Sequence, residues 1–105
     1  MIEKIVDNII ILIGENSEEN DNLIKEKNKK YFWFHLKNGP SPHGIIKTDK
    51  PTNKQIYICA NLVKENSKQK NMKNVYVEYT QLKNIRSTKI LGSVILKNSP
   101  KYIKI

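Results

Sequence analysis

Cysteine, glycine and arginine are scarce in this chain of 105 residues, and each shortage removes a class of function. The single cysteine, Cys59, leaves no internal disulfide and no Cys-x-x-Cys pair for zinc. Four dispersed glycines give no Gly-rich loop to cradle a nucleotide's phosphates. The only histidines are His35 and His43, with no His-x-x-x-His pair, so neither a metal site nor a cofactor is expected. Apolar runs are short as well. The longest, Ile9 to Ile13, is strand-sized, far below the roughly 20 residues of a membrane span. Met1-Ile2-Glu3-Lys4 is not a basic leader and no long apolar stretch follows, so neither a secretory signal nor a membrane partner is expected. The expected location is the cytoplasm, with the nucleus as the alternative.

Acidic residues are also scarce after residue 26. Residues 1–26 hold seven acids and two lysines, a balance of −5; residues 27–105 hold seventeen basic residues and three acids, a balance of +14. A surface this basic attracts phosphate backbones or anionic surfaces. Eighteen of the nineteen basic residues are lysine, and asparagine and isoleucine are abundant. An AT-rich genome writes that bias onto any surface, so charge supplies a hypothesis and no more.

The length fits one domain, 1–105, which buries roughly two thirds of its unfolded surface around one modest core. Ile2 to Ile13 alternates and then turns continuously apolar, which predicts one or two strands with a corner at Val6-Asp7-Asn8-Ile9. Gly14 to Asn22 is acidic and polar, a loop or a short helical turn. Tyr31 to Lys37 and His43 to Thr48 are strands around a Gly39-Pro40-Ser41-Pro42 turn. Thr52 and Gln55 form a capping-box pattern after Pro51, and Ile56, Cys59, Ala60 and Val63 recur at helical spacing. Val75 to Thr80 alternates as a strand, and Gln81 to Leu91 reads as a long basic connection. Ser93–Leu96 and Tyr102–Ile105 are expected to close the chain as a hairpin. The sum is an α+β fold: about six strands in a mostly antiparallel sheet, with one main helix packed on it.

Tyr31 to Ile46 holds the only Trp, both Phe and both His. Alternation puts Phe32 and Phe34 on one strand face and Tyr31, Trp33 and His35 on the other. If that second face is open, Trp33 is a platform for a base; if it is closed, Trp33 anchors the core. His35 and His43, polar rings at strand ends, either contact a ligand or hold the turn by hydrogen bonds. Lys37, Lys47, Lys83, Arg86 and Lys89 are candidates for phosphate contact. Arg86 stands out as the only arginine, because its forked guanidinium suits phosphate geometry. Cys59 lies on the helix's apolar stripe, away from a helix N-terminus, so nothing lowers its pKa for nucleophilic work. No enzyme is expected.

These motifs resemble the NFACT-R domain family, an RNA-binding module of ribosome quality-control proteins. The resemblance rests on Gly14 followed by Asn20-Asp21-Asn22-Leu23, on Trp33-Phe34-His35 with Ser41-x-His43, and on Cys59-Ala60-x-Leu62-Val63. It continues through Val75-x-Val77-x-Tyr79-Thr80, Ile85-Arg86 and Gly92-Ser93-Val94. Within the family, Cys59 to Ser67 and Met72 to Thr80 look most similar to the short coiled-coil domain-containing protein 25 type. That type usually runs on into a charged coiled-coil tail, whereas this chain stops at Ile105, as a bare domain or a trimmed piece of a longer one. The pattern departs at Tyr31, where the family has Asp, and at Ser41-Pro42, where it has Gly-Ser.

The resemblance implies a non-enzymatic nucleic-acid binder, with tRNA or rRNA as the foremost ligand and DNA left open. The competing reading is an adaptor that docks on a ribosomal or other protein partner through its acidic N-terminal segment and a sheet edge. The pattern says nothing of oligomeric state.

Overall fold

The computed structural model describes residues 1–105. Ile2–Val6 (β1) and Ile9–Ile13 (β2) form an antiparallel hairpin. Its corner residues Asp7 and Asn8 take φ of 51° and 65°. Short polar side chains tolerate this left-handed backbone, and two such residues in succession match the twist of hairpin strands. Ser17–Ile24 (α1) is a true helix rather than a loop. Asn16 caps it by accepting from the Glu19 N–H, and Glu18 and Glu19 sit in the first turn, where carboxylates are favoured.

Phe32–Leu36 (β3), Gly44–Ile46 (β4) and Tyr76–Gln81 (β5) pair antiparallel at the centre of the sheet. Asn53–Glu65 (α2) starts at the expected capping box, with both Thr52–Gln55 hydrogen bonds formed. The Gln55 amide also donates to the Val6 carbonyl, tying the helix start to the first hairpin. Ile85–Ser87 (β6), Val94–Leu96 (β7) and Lys101–Lys104 (β8) complete the fold.

The six-stranded sheet runs β1-β2-β4-β3-β5-β8, antiparallel throughout, and β6 and β7 make a separate two-stranded ribbon. Two expectations are corrected here. The basic stretch after Gln81 is not all connection, because it contains β6. The last two strands do not pair with each other: β7 pairs β6, and β8 pairs β5. The reason is where their apolar residues must go. Val94 and Leu96 pack with Ile85 over Trp33, whereas Ile103 packs beside Val77 on the opposite face.

Both sheet faces are buried at the centre, which is why β4 and much of β2 read as continuous apolar runs. On one face α2 covers a cluster of 11 buried residues that includes Ile11, Phe34, Leu36, Cys59, Ala60, Val63 and Val77. A Cβ at Gly44 would lie 2.9 Å from the Cys59 Sγ, so glycine there lets the helix close on the sheet. On the other face α1 and the ribbon cover a smaller cluster of Leu23, Ile24, Trp33, Ile45, Leu82 and Ile85. No helix is long and apolar enough to cross a membrane.

Candidate functional site

β3 carries the aromatic run, and its pleat divides it as the alternation predicts. Phe34 enters the α2 cluster; Trp33 enters the smaller one. Around Trp33 three rings interlock. His35 stacks on the indole at 5.7 Å between centroids and 12° between planes. His43 meets both rings edge-on, 5.6 Å from Trp33 and 5.1 Å from His35. The indole Nε1–H donates to His43 Nδ1 at 3.1 Å, so that nitrogen carries no proton and the ring is the neutral Nε2–H tautomer. His35 Nδ1–H donates to the Leu36 carbonyl at 2.6 Å, which leaves its Nε2 free as an acceptor.

Burial pushes both imidazoles down. His43 is 2% exposed and falls to about 3, first through desolvation and then through repulsion from His35. A backbone hydrogen bond at Gly92 and the Asp21 carboxylate oppose this without reversing it. His35 is lowered by the same desolvation. Both rings are neutral at physiological pH.

The cluster is held from α1. Asn20 Oδ1 accepts from the His43 N–H, and the Gly14 N–H donates to the His43 carbonyl. Asp21 binds Lys25 at 2.9 Å and accepts from the Gly92 N–H at the ribbon tip, so Lys25 holds its carboxyl below the usual range. Gly92 takes φ of 78°, a conformation the tip turn requires and glycine adopts without strain. Ser41 closes the Pro-rich turn: its hydroxyl accepts from the Leu36 N–H and donates to the Pro42 carbonyl.

The residues singled out from the sequence separate into groups. Trp33 is 0% exposed, so of its two readings the core anchor holds and its place among the candidate contact residues is corrected; the ribbon and α1 close the face over it. His43 is equally inaccessible and takes the hydrogen-bonding role. His35 is half-buried and lines a cleft of about 280 Å³ with Lys37, Glu78, Ser93 and Leu96. Lys37 follows just past the end of β3 and reaches over two rings, 5.8 Å from Tyr76 and 4.9 Å from Tyr102. Arg86 is exposed on the ribbon, opposite Ile95, and Lys89 is exposed at its tip.

Lys47 and Lys83 do not join them. Lys47 lies past the far end of β4, four residues or about 13 Å of strand beyond His43. Lys83 bonds through its N–H to the Lys29 carbonyl, beside the start of β3. The Cys59 thiol, pushed well up by burial, packs on the α2 face, so the sheet separates it from both imidazoles.

Three residues escaped the sequence reading. Tyr76, Glu78 and Tyr102 share the sheet face of His35 and Lys37, with Glu78 opposite both His35 and Tyr102 in the register. The alternation of Val75 to Thr80 placed Tyr76 and Glu78 together on one strand face. Nothing local placed Tyr102 beside them, because β8 was matched to the wrong strand.

The sequence model of the NFACT protein RNA binding domain matches residues 3–98. The chain is 28% identical over 79 residues to the Rqc2 homolog RqcH of Bacillus subtilis, covering 74% of this chain and 14% of that protein. It is 34% identical over 85 residues to coiled-coil domain-containing protein 25 of Danio rerio, covering 74% of this chain and 41% of that protein. The chain thus spans less than half the length of either relative. Among solved structures, the C-terminal part of the fibronectin/fibrinogen-binding protein from Streptococcus suis superposes with a TM-score of 0.89 at 25% identity. That match covers 98% of this chain and 43% of the other.

Proposed function

This chain belongs to the NFACT RNA-binding domain family, as its motifs suggested, and we propose that it is a non-catalytic module that binds tRNA or rRNA in ribosome quality control. The observation that carries the reading is the uncovered end of the second sheet face, where His35 on β3 and Lys37 just past its end line an open cleft. Arg86, exposed on the outer face of the ribbon, and Lys89, exposed at its tip, supply further phosphate contacts outside the cleft. His35 presents a neutral ring with a free acceptor, suited to a base or a ribose hydroxyl. Trp33 and His43 act from behind as the rigid support of His35. The acidic residues are concentrated in the first quarter of the chain, and the phosphate contacts are assigned to the basic remainder. The relatives are longer, so the work of a whole protein is not assigned to this domain. The cytoplasm, where ribosomes work, is the compartment this reading implies.

Fluorescence anisotropy with a labelled tRNA, competed by a DNA hairpin, at about 50 and 200 mM salt tests the reading. Submicromolar, salt-steep binding that tRNA outcompetes is the expected result. Equal competition by DNA would mean a phosphate binder blind to sugar. Absence of binding at the lower salt would end the RNA reading and favour a protein adaptor.

A further inference from the structure

Tyr76 and Tyr102 are 44% and 47% exposed, although both lie on sheet strands with their rings on the face that elsewhere is covered. They occupy neighbouring strands: Tyr76 is opposite Lys104, and Tyr102 is opposite Glu78, so the two rings are diagonal neighbours, about 7–8 Å apart at Cα. The ribbon ends short of them; Leu96 reaches the cleft over Lys37 and Glu78, and the tyrosines lie beyond. The ammonium of Lys37 stands over both rings.

We propose that Tyr76 and Tyr102 form a stacking platform for an unpaired, single-stranded RNA segment, with Lys37 as its cation. The inference rests on the RNA reading above and names the form of RNA this face takes. Base faces stack on exposed aromatic rings irrespective of sequence, which a duplex with its bases stacked internally cannot do. Lys37 and Lys104 border the rings, and residues 27–105 as a whole are strongly basic, so the surface complements a phosphate chain, with Glu78 the one carboxyl paired beside the rings. Burial pushes the Glu78 carboxyl up, and the neighbouring Lys37 ammonium opposes that shift. An exposed ammonium–ring contact is weaker than base stacking, so an arriving base displaces Lys37 from the rings. The freed ammonium then turns to the phosphate that follows the base.

The test compares an unstructured RNA oligonucleotide of about eight nucleotides, a length within one such site, with a blunt-ended, fully paired RNA duplex. Anisotropy is read at matched salt on the unaltered chain, on Tyr76→Leu with Tyr102→Leu, and on Tyr76→Phe with Tyr102→Phe. The leucine pair should bind the single strand about tenfold or more weaker and the duplex as before, with both salt slopes unchanged. The phenylalanine pair should bind like the unaltered chain, because the rings remain. Thermal melting of the leucine pair checks that the sheet is intact. Unchanged single-strand affinity in the leucine pair would overturn the platform, and so would equal loss for both RNAs. If the unaltered chain binds neither RNA, the RNA reading itself fails first.

Discussion

Phe34 and Trp33 are neighbours in the chain, both fully buried, and they point into different worlds. Phe34 lies under α2 in a cluster made by shape alone, stacked on Tyr79 at 5.2 Å. Trp33 lies under α1 and the ribbon, where its N–H, His43, Asn20 and Asp21 must all find partners. The α2 face is closed at its centre, where Phe34 sits, with Phe32 and Tyr79 half-buried at one end. The other face is closed at one end and open at the other. A polar network that must be fully satisfied fixes the geometry of what lies beside it, at the cost of sensitivity to charge. His35 inherits that geometry because it stacks directly on the network and still reaches the cleft.

Phe34→Ala should give the largest effect of any change on either face, a loss of about 3–5 kcal/mol in urea unfolding, because the closed face cannot collapse around the cavity. Trp33→Phe keeps most of the volume but strands the His43 acceptor, and about 1–3 kcal/mol is expected. A Trp33→Phe loss as large as that of Phe34→Ala would erase the difference between the faces.

Acid should then separate them. His43 sits at about 3 in the fold against an ordinary value of 6.5, so the unfolded chain binds its proton more readily. Its contribution is complete above the ordinary value and is lost as pH falls from there towards 3. By pH 5 the loss is about 2 kcal/mol. His35 adds in the same sense. Glu78, raised by burial, acts oppositely: its contribution is present below its ordinary value of 4.5 and fades as pH rises through the higher folded one. Melting temperature at pH 7 and pH 5 checks this. His43→Gln retains an acceptor for Trp33 and removes the titration, so its melting point should fall less on acidification. An equal fall would place the acid-sensitive group elsewhere.

The smallest effect on stability should come from the outer ribbon. Arg86→Glu with Lys89→Glu should leave unfolding unchanged, weaken tRNA and DNA binding alike, and lower the salt slope by about two. Unchanged affinity would remove the ribbon from the binding surface.

Much of this was legible without coordinates. The first hairpin, the Thr52 capping box, the α2 stripe and the division of β3 between two faces all follow from local chemistry and periods of 2 and 3.6. What was illegible shares one cause. The acidic stretch became α1 because it docks Leu23 and Ile24 over Trp33, and a short polar helix has little periodicity of its own. The β6–β7 ribbon forms across a turn at Gly92, inside a segment whose lysines hid its apolar alternation. Tyr102 became part of the site only when β8 paired with β5.

The sequence by itself determined the central strands, the main helix, the basic charge of the last three quarters and membership of the family. Those depend on neighbours along the chain or on residue identity alone. Only the tertiary structure decided that Trp33 and His43 are sealed, that His35 and Lys37 stay accessible, and that Tyr76 and Tyr102 lie together. Each of these turns on which distant strand covers or pairs with which, and non-local pairing leaves no mark in the local pattern.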